Sequence, residues 1–172
     1  YPVGTKVKLT QTTVRYFYVV ATSYSSPNTT VTITGGSDYS LANATITDNF
    51  LSYAATPQDF PDWLNYAATV ASSGGTLTSA TVSYAQFSIK GKTKHIRILV
   101  EITTNGTGSG ALNVSLPVNT TSNISVGTGR EYAVGGKMIQ GEFVTSVIAL
   151  RNYDNSYPGG NGYKIRLSAQ YI

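Results

Sequence analysis

Apolar and polar residues alternate along most of this chain. In the closing "YKIRLSAQYI", Tyr163, Ile165, Leu167, Ala169 and Tyr171 share one parity, and Lys164, Arg166, Ser168 and Gln170 the other. Successive side chains of a strand point to opposite faces, so this pattern predicts a strand with one buried face. "ALNVSLPV" repeats it with Leu112, Val114 and Leu116, "TTVTIT" with Val31 and Ile33, and "HIRILVEI" with Ile96, Ile98, Val100 and Ile102. No stretch shows the helical period for more than a turn or two.

Turn residues punctuate these runs. "SYAQFSIKGKTKHIRI" reads as a hairpin turning at Lys90-Gly91, where glycine supplies the positive φ that tight turns need. Its first arm changes phase, since Val82 and Tyr84 share one parity and Phe87 and Ile89 the other. One extra residue between Ser83 and Ala85, a β-bulge, accounts for the change. "TTNGTGSG" makes the next turn. Strands at such spacing predict an all-β protein.

The pattern divides near residue 57. Short strands are expected at Lys6–Thr10, Val14–Val20 and Thr29–Thr34, followed by the less regular "GGSDYSLANATI". "AATPQD", Ala54 to Asp59, is small, polar and broken by proline, and reads as a connector. The expectation is a small β unit over residues 1–57 and an antiparallel, jelly-roll-like β-sandwich over 58–172. Because it starts at Tyr1 without methionine, the chain is expected to be a piece of something longer.

Composition narrows the class. Among 172 residues 41% are hydrophobic, enough for a core, but only 12% are charged, about half the usual share. Hydroxyl and amide side chains replace the charges, a habit of extracellular β proteins and virion parts. The net charge of +4 reflects few acids rather than many bases, which argues against a nucleic-acid partner. There is no cysteine and a single histidine, His95, which removes thiolate chemistry and a zinc site of ordinary donors. No apolar run is long enough for a membrane-spanning helix.

Each candidate site carries two readings. "FPDWLNY" sets the only tryptophan, Trp63, beside Phe60, Tyr66 and Asp62, with Asp59 just before. Aromatics beside carboxylates line sugar-cleaving clefts, yet two Asp flanking Pro61 are ordinary turn formers. The favoured reading is a structural junction in which Trp63 is largely buried and touches Phe60 or Tyr66. Lys90, Lys92, Lys94 and Arg97 gather at one hairpin, where they meet phosphates or simply keep a hairpin tip soluble. His95 is expected on the solvent face of its strand. The remaining acids are scattered singly, with no calcium-loop spacing. No catalytic residue, metal or cofactor is assigned, and the chain is read as non-enzymatic.

Sequons at Asn28, Asn43, Asn105, Asn113, Asn119 and Asn123 matter only in a glycosylating host. The loop "RNYDNSYPGGNGYK" places Tyr153, Asn155, Tyr157 and Asn161 among glycines and a proline. Such side chains make adaptable contacts to sugars or proteins, or the loop merely closes one end of the core.

Several segments together, "GGSDYSLANATIT" followed by "FPDWLNY", the hairpin with its "ITTNGTG" continuation, and the terminal "YPGGNGY", resemble the C-terminal modules of tailed-bacteriophage structural proteins such as tail-fibre, receptor-binding or head-fibre proteins. The resemblance runs over nearly the whole chain. It implies a small β unit leading into a sandwich that caps a fibre, commonly as a trimer, on the outside of the virion. It implies attachment to a host-surface polymer such as a glycan, contact with other virion proteins, and no catalytic residues. Two alternatives stay open: a purely structural capping or capsid-decorating domain, and a carbohydrate-binding module of a secreted bacterial protein.

Overall fold

The computed structural model describes residues 1–121 and 125–172 and is all-β. Among the described residues thirteen strands follow in order: β1 (Lys6–Gln11), β2 (Thr13–Ser25), β3 (Asn28–Thr34), β4 (Thr47–Ser52), β5 (Leu64–Asn65), β6 (Val70–Gly74), β7 (Ser79–Lys90), β8 (Thr93–Thr104), β9 (Ser109–Ser115), β10 (Val126–Glu131), β11 (Met138–Val144), β12 (Val147–Asn152) and β13 (Tyr163–Tyr171). They form a four-stranded sheet, β3-β2-β1-β4, and a nine-stranded sheet, β5-β7-β8-β13-β10-β11-β12-β9-β6. All the pairings are antiparallel. The larger sheet curls into a half-barrel, and β6 at one edge approaches β7 near the other.

Alternation decides which face lies inside. Ile96, Ile98, Val100 and Ile102 of β8 meet Ile165, Leu167, Ala169 and Tyr171 of β13 on one buried face. Leu112, Val114, Ile139, Phe143, Ile148 and Leu150 continue the core across the sheet. The expected bulge is present, because the β7–β8 register shifts between Val82 and Tyr84 and leaves Ser83 as the extra residue. The hairpin turns at Gly91-Lys92, with Gly91 at φ +60°.

β10 breaks the pattern. Its inward positions are Gly127, Gly129 and Glu131, not apolar side chains. A Cβ on Gly129 would stand 2.3 Å from the Arg166 carbonyl oxygen, so β13 approaches too closely for a side chain there. Glu131, 1% exposed, accepts hydrogen bonds from the backbone N–H groups of Ala133, Val134, Gly135, Gly136 and Lys164. Burial by itself would raise its pKa, but these donors outweigh it and hold the carboxyl at about 2. The cage shapes residues 132–137, the loop into β11.

The smaller sheet buries residues on both faces. Val7, Leu9, Phe17 and Val19 form one cluster, joined by Val31, Ile33 and Tyr39. Residues 39–44 lie against this sheet, held by buried Gln11, whose amide donates to the Ala42 and Ala44 carbonyls (2.9 Å each) and accepts from the Ala42 N–H (3.0 Å). The other face turns Tyr18 into the core of the larger sheet. β2 runs to Ser25, five residues past the expected Val20, because β3 pairs it to the end of the hairpin.

Candidate functional site

The "FPDWLNY" stretch alternates like a strand and serves both faces of the larger sheet. Leu64 and Tyr66 point inward, and Tyr66 lies edge-on to Phe87 with centroids 6.0 Å apart. Phe60 packs on rings of the smaller sheet, 5.1 Å from Tyr18 and 5.5 Å from Tyr16. Trp63 departs from expectation. It is half-buried on the outer face, with the Arg97 guanidinium 4.2 Å from its ring centroid, and makes no ring contact with Phe60 or Tyr66. Period two explains the difference, since Trp63 and Asn65 have the parity opposite to Leu64 and Tyr66.

The two sheets are tied through the same segment. The Ser37 N–H donates to the Asn65 carbonyl (2.8 Å), and Asn65 donates from its backbone and side-chain nitrogens to Asp38 (2.7 and 2.9 Å). Asp59 and Asp62 are exposed, and Asp59 has φ +63°, the geometry of a turn former. Asp62 lines a narrow depression with Lys6, Phe60 and Lys90, which Asp59 does not share, so the two carboxylates do not face one cleft.

The four cations of the hairpin are separated by the strand period. Lys90 and Lys92 are exposed, and Arg97 faces outward, but Lys94 is buried with its ammonium 5.5 Å from the Tyr171 ring centroid. Burial lowers its pKa. His95 is half-buried on the outer face, its pKa lowered by burial and then by Lys90.

The 152–162 loop divides into two roles. Tyr157 packs against the core and donates its hydroxyl to the Asn105 Oδ1 (2.9 Å), while Asn161 accepts from the Asn105 N–H (2.8 Å). Both thus hold the Asn105–Gly108 turn. Tyr153 is 68% exposed, and Asn155 accepts from Gln140 (2.7 Å) at the rim of a shallow depression of ≈ 300 Å³. Gln140, Glu142 and Arg151 line that depression over a floor of Gly141 and Ala149. Asn28, Asn43 and Asn119 are exposed, Asn105 and Asn113 half-buried, and Asn123 lies outside the described residues.

Sequence reasoning did not find the outer face of the central strands. An open depression of ≈ 440 Å³ runs over β10, β11 and β13, lined by Thr128, Arg130, Met138, Arg166 and Ser168. A second, of ≈ 300 Å³, adjoins it at Arg166 and extends to Tyr84 and Arg97. The missing signal was register. Arg130 pairs with Arg166, and Arg97 with Ser168, across strands far apart in sequence.

Among the described residues, no group of His, Cys, Asp and Glu is placed to hold a metal ion, and no helix is long and apolar enough to cross a membrane. Comparison of the chain with family models, curated proteins and solved structures gave no match.

Proposed function

We propose that the chain is a non-enzymatic attachment domain of a tailed-phage virion appendage, a tail-fibre or head-fibre tip, that holds a host-surface glycan. The observation that carries this reading is the outer face of β8, β13, β10, β11 and β12. Its shallow depressions lie on one continuous sheet: amide and guanidinium groups line the one at β11 and β12, and the two that share Arg166 expose mainly apolar surface beside their arginines. Open, shallow surfaces suit one stretch of a long polymer, whereas small molecules favour enclosed pockets. Each such contact is weak, and a trimer multiplies it into avidity. Adsorption of the labelled chain to bacterial cells, with and without periodate oxidation of their surface sugars, tests the proposal. Adsorption that periodate abolishes is expected. Adsorption indifferent to periodate removes the glycan, and none to any strain removes the attachment role.

A second reading, a structural capping domain that associates with itself, is favoured by one specific feature. β4 is an edge strand carrying Phe50 at 60% and Leu51 at 41% exposure, followed by Tyr53 at 72%. Bare edges of this kind pair with other chains unless they are blunted. Light scattering of the wild type beside Phe50→Ser/Tyr53→Ser separates the readings. If the variant becomes monomeric and a single copy still adsorbs to cells, self-association is not the purpose of the domain.

A further inference from the structure

The outer face of the larger sheet holds four arginines in its interior strands; Arg151 on β12 donates to the Gly110 carbonyl (3.4 Å), and the other three lie together. Arg97 lies on β8, Arg166 on β13 and Arg130 on β10. Arg166 and Arg130 are directly opposite in register, and like charges so placed are ordinarily destabilising. Cations on edge strands block unwanted pairing, but these strands are paired on both sides, so that explanation does not apply.

Aromatic rings hold two of these guanidinium groups in place. Arg166 stacks 4.0 Å from the Tyr132 centroid. Arg97 stacks 4.2 Å from Trp63 and 5.6 Å from Tyr84, and its Nε and Nη2 donate to the Gln86 Oε1 at 3.0 and 2.6 Å. Stacking fixes the plane of the donor fork, which reduces the side-chain entropy lost when a ligand binds. Much of that fork is unused. Among the described residues no hydrogen bond or ion pair occupies the Arg130 and Arg166 side chains, and the Arg97 Nη1 has no partner.

Glu101 shares this face, one diagonal step from Arg166, but it is already paired, and the other glutamates and Asp154 are engaged or farther off. Lys164 takes Glu101 at 3.1 Å, Lys137 takes Asp154 at 3.5 Å, and Glu131 is caged inside. Glu142 lies four residues along β11 from Met138, a strand distance of about 13 Å. The cationic face is therefore short of counter-charge that the chain itself does not provide.

We infer that this face binds an acidic polysaccharide, its carboxylates taken by Arg130, Arg166 and Arg97. The inference rests on the attachment reading above and names the class of glycan. One strand spacing separates Arg130 from Arg166. A diagonal step of roughly 8 Å leads on to Arg97, so the cations match charges repeated along a polymer better than a single anion. The planar fork fits a carboxylate bidentately. Single-stranded nucleic acid is the less suited polymer. It needs ring faces for its bases, and here guanidinium groups already cover faces of Tyr132 and Trp63.

The test is affinity electrophoresis of the full chain in gels containing polygalacturonate, neutral dextran or single-stranded oligothymidylate, at about 50 and about 300 mM salt. Retardation by polygalacturonate alone, weakened by salt, is expected. Arg130→Gln/Arg166→Gln should lose about tenfold in affinity, while Lys90→Gln/Lys92→Gln, with the same change in net charge, should lose none. Both arginines are exposed, so the thermal midpoint should hold; the single Arg130→Gln replaces the double variant if it does not. Equal loss in the two double variants, no loss in the arginine variant, or stronger retardation by dextran or oligothymidylate overturns the inference. A wild type that adsorbs to cells in a periodate-sensitive way yet ignores polygalacturonate refutes this ligand and leaves the attachment reading standing. Failure of both adsorption and retardation ends both.

Discussion

The two sheets use the same period of two in different ways. In the larger sheet alternation holds along β8 and β13, with apolar side chains inside and polar ones out apart from Lys94 inside and Leu99 outside. The smaller sheet buries Lys6 and Gln11 to within 4% of full burial and leaves Phe50 60% exposed. Lys6 donates to the Ala54 carbonyl (3.0 Å) and lies over the Tyr18 and Phe60 rings, its pKa lowered by burial and then by Lys90. The difference lies in what covers each face. A sheet curling on itself makes one dry interior, whereas a four-stranded sheet packed by a loop on one side and a neighbour on the other fills both sides incompletely. Polar residues there survive burial by finding backbone partners.

Four substitutions probe this contrast, and urea denaturation measures all of them. Phe87→Ala should have the largest effect, about 3–5 kcal/mol, because the ring is fully buried and touches both Tyr18 of the smaller sheet and Tyr66. A loss confined to the larger sheet, with the smaller one melting unchanged, would show that the sheets fold independently.

Glu131→Gln follows, at about 3 kcal/mol near neutral pH. The folded carboxyl titrates at about 2, below its usual 4.5, so its stabilisation is complete above about pH 4.5 and lost as pH falls towards 2. The stability gap between wild type and variant should therefore close over that window. A gap independent of pH would mean that the carboxylate charge is not what organises the loop.

Gln11→Ala should cost about 1–3 kcal/mol by leaving partners around residues 42–44 unsatisfied, and protease should cut that segment faster. An unchanged cleavage rate would show that the segment is held by packing of Tyr39 instead. Trp63→Ala should cost least, about 1–2 kcal/mol, since the ring is half-buried and its main partner is Arg97. A loss as large as that of Phe87→Ala would return Trp63 to the core.

Legibility followed the same contrast. β8, β9 and β13, the Gly91 turn and the bulge at Ser83 were readable because the inward positions, Lys94 of β8 apart, carry apolar side chains. β10 was not, because close approach to β13 requires glycine where the pattern needs an apolar residue, and Glu131 looks like a surface residue until its cage forms. Of the residues singled out in the 152–162 loop, Tyr157 and Asn161 are engaged with Asn105, a partner about fifty residues earlier in the chain.

By itself the sequence determined the all-β class, the faces of the alternating strands and the turns, because side-chain parity and glycine φ are local properties. Tertiary structure alone decided that Trp63 stacks on Arg97 and that Arg130 stands opposite Arg166. These are consequences of register between strands distant in sequence. A slip of one residue in any pairing reverses every face, and the long-range contacts that forbid the slip exist only once the sheet has assembled.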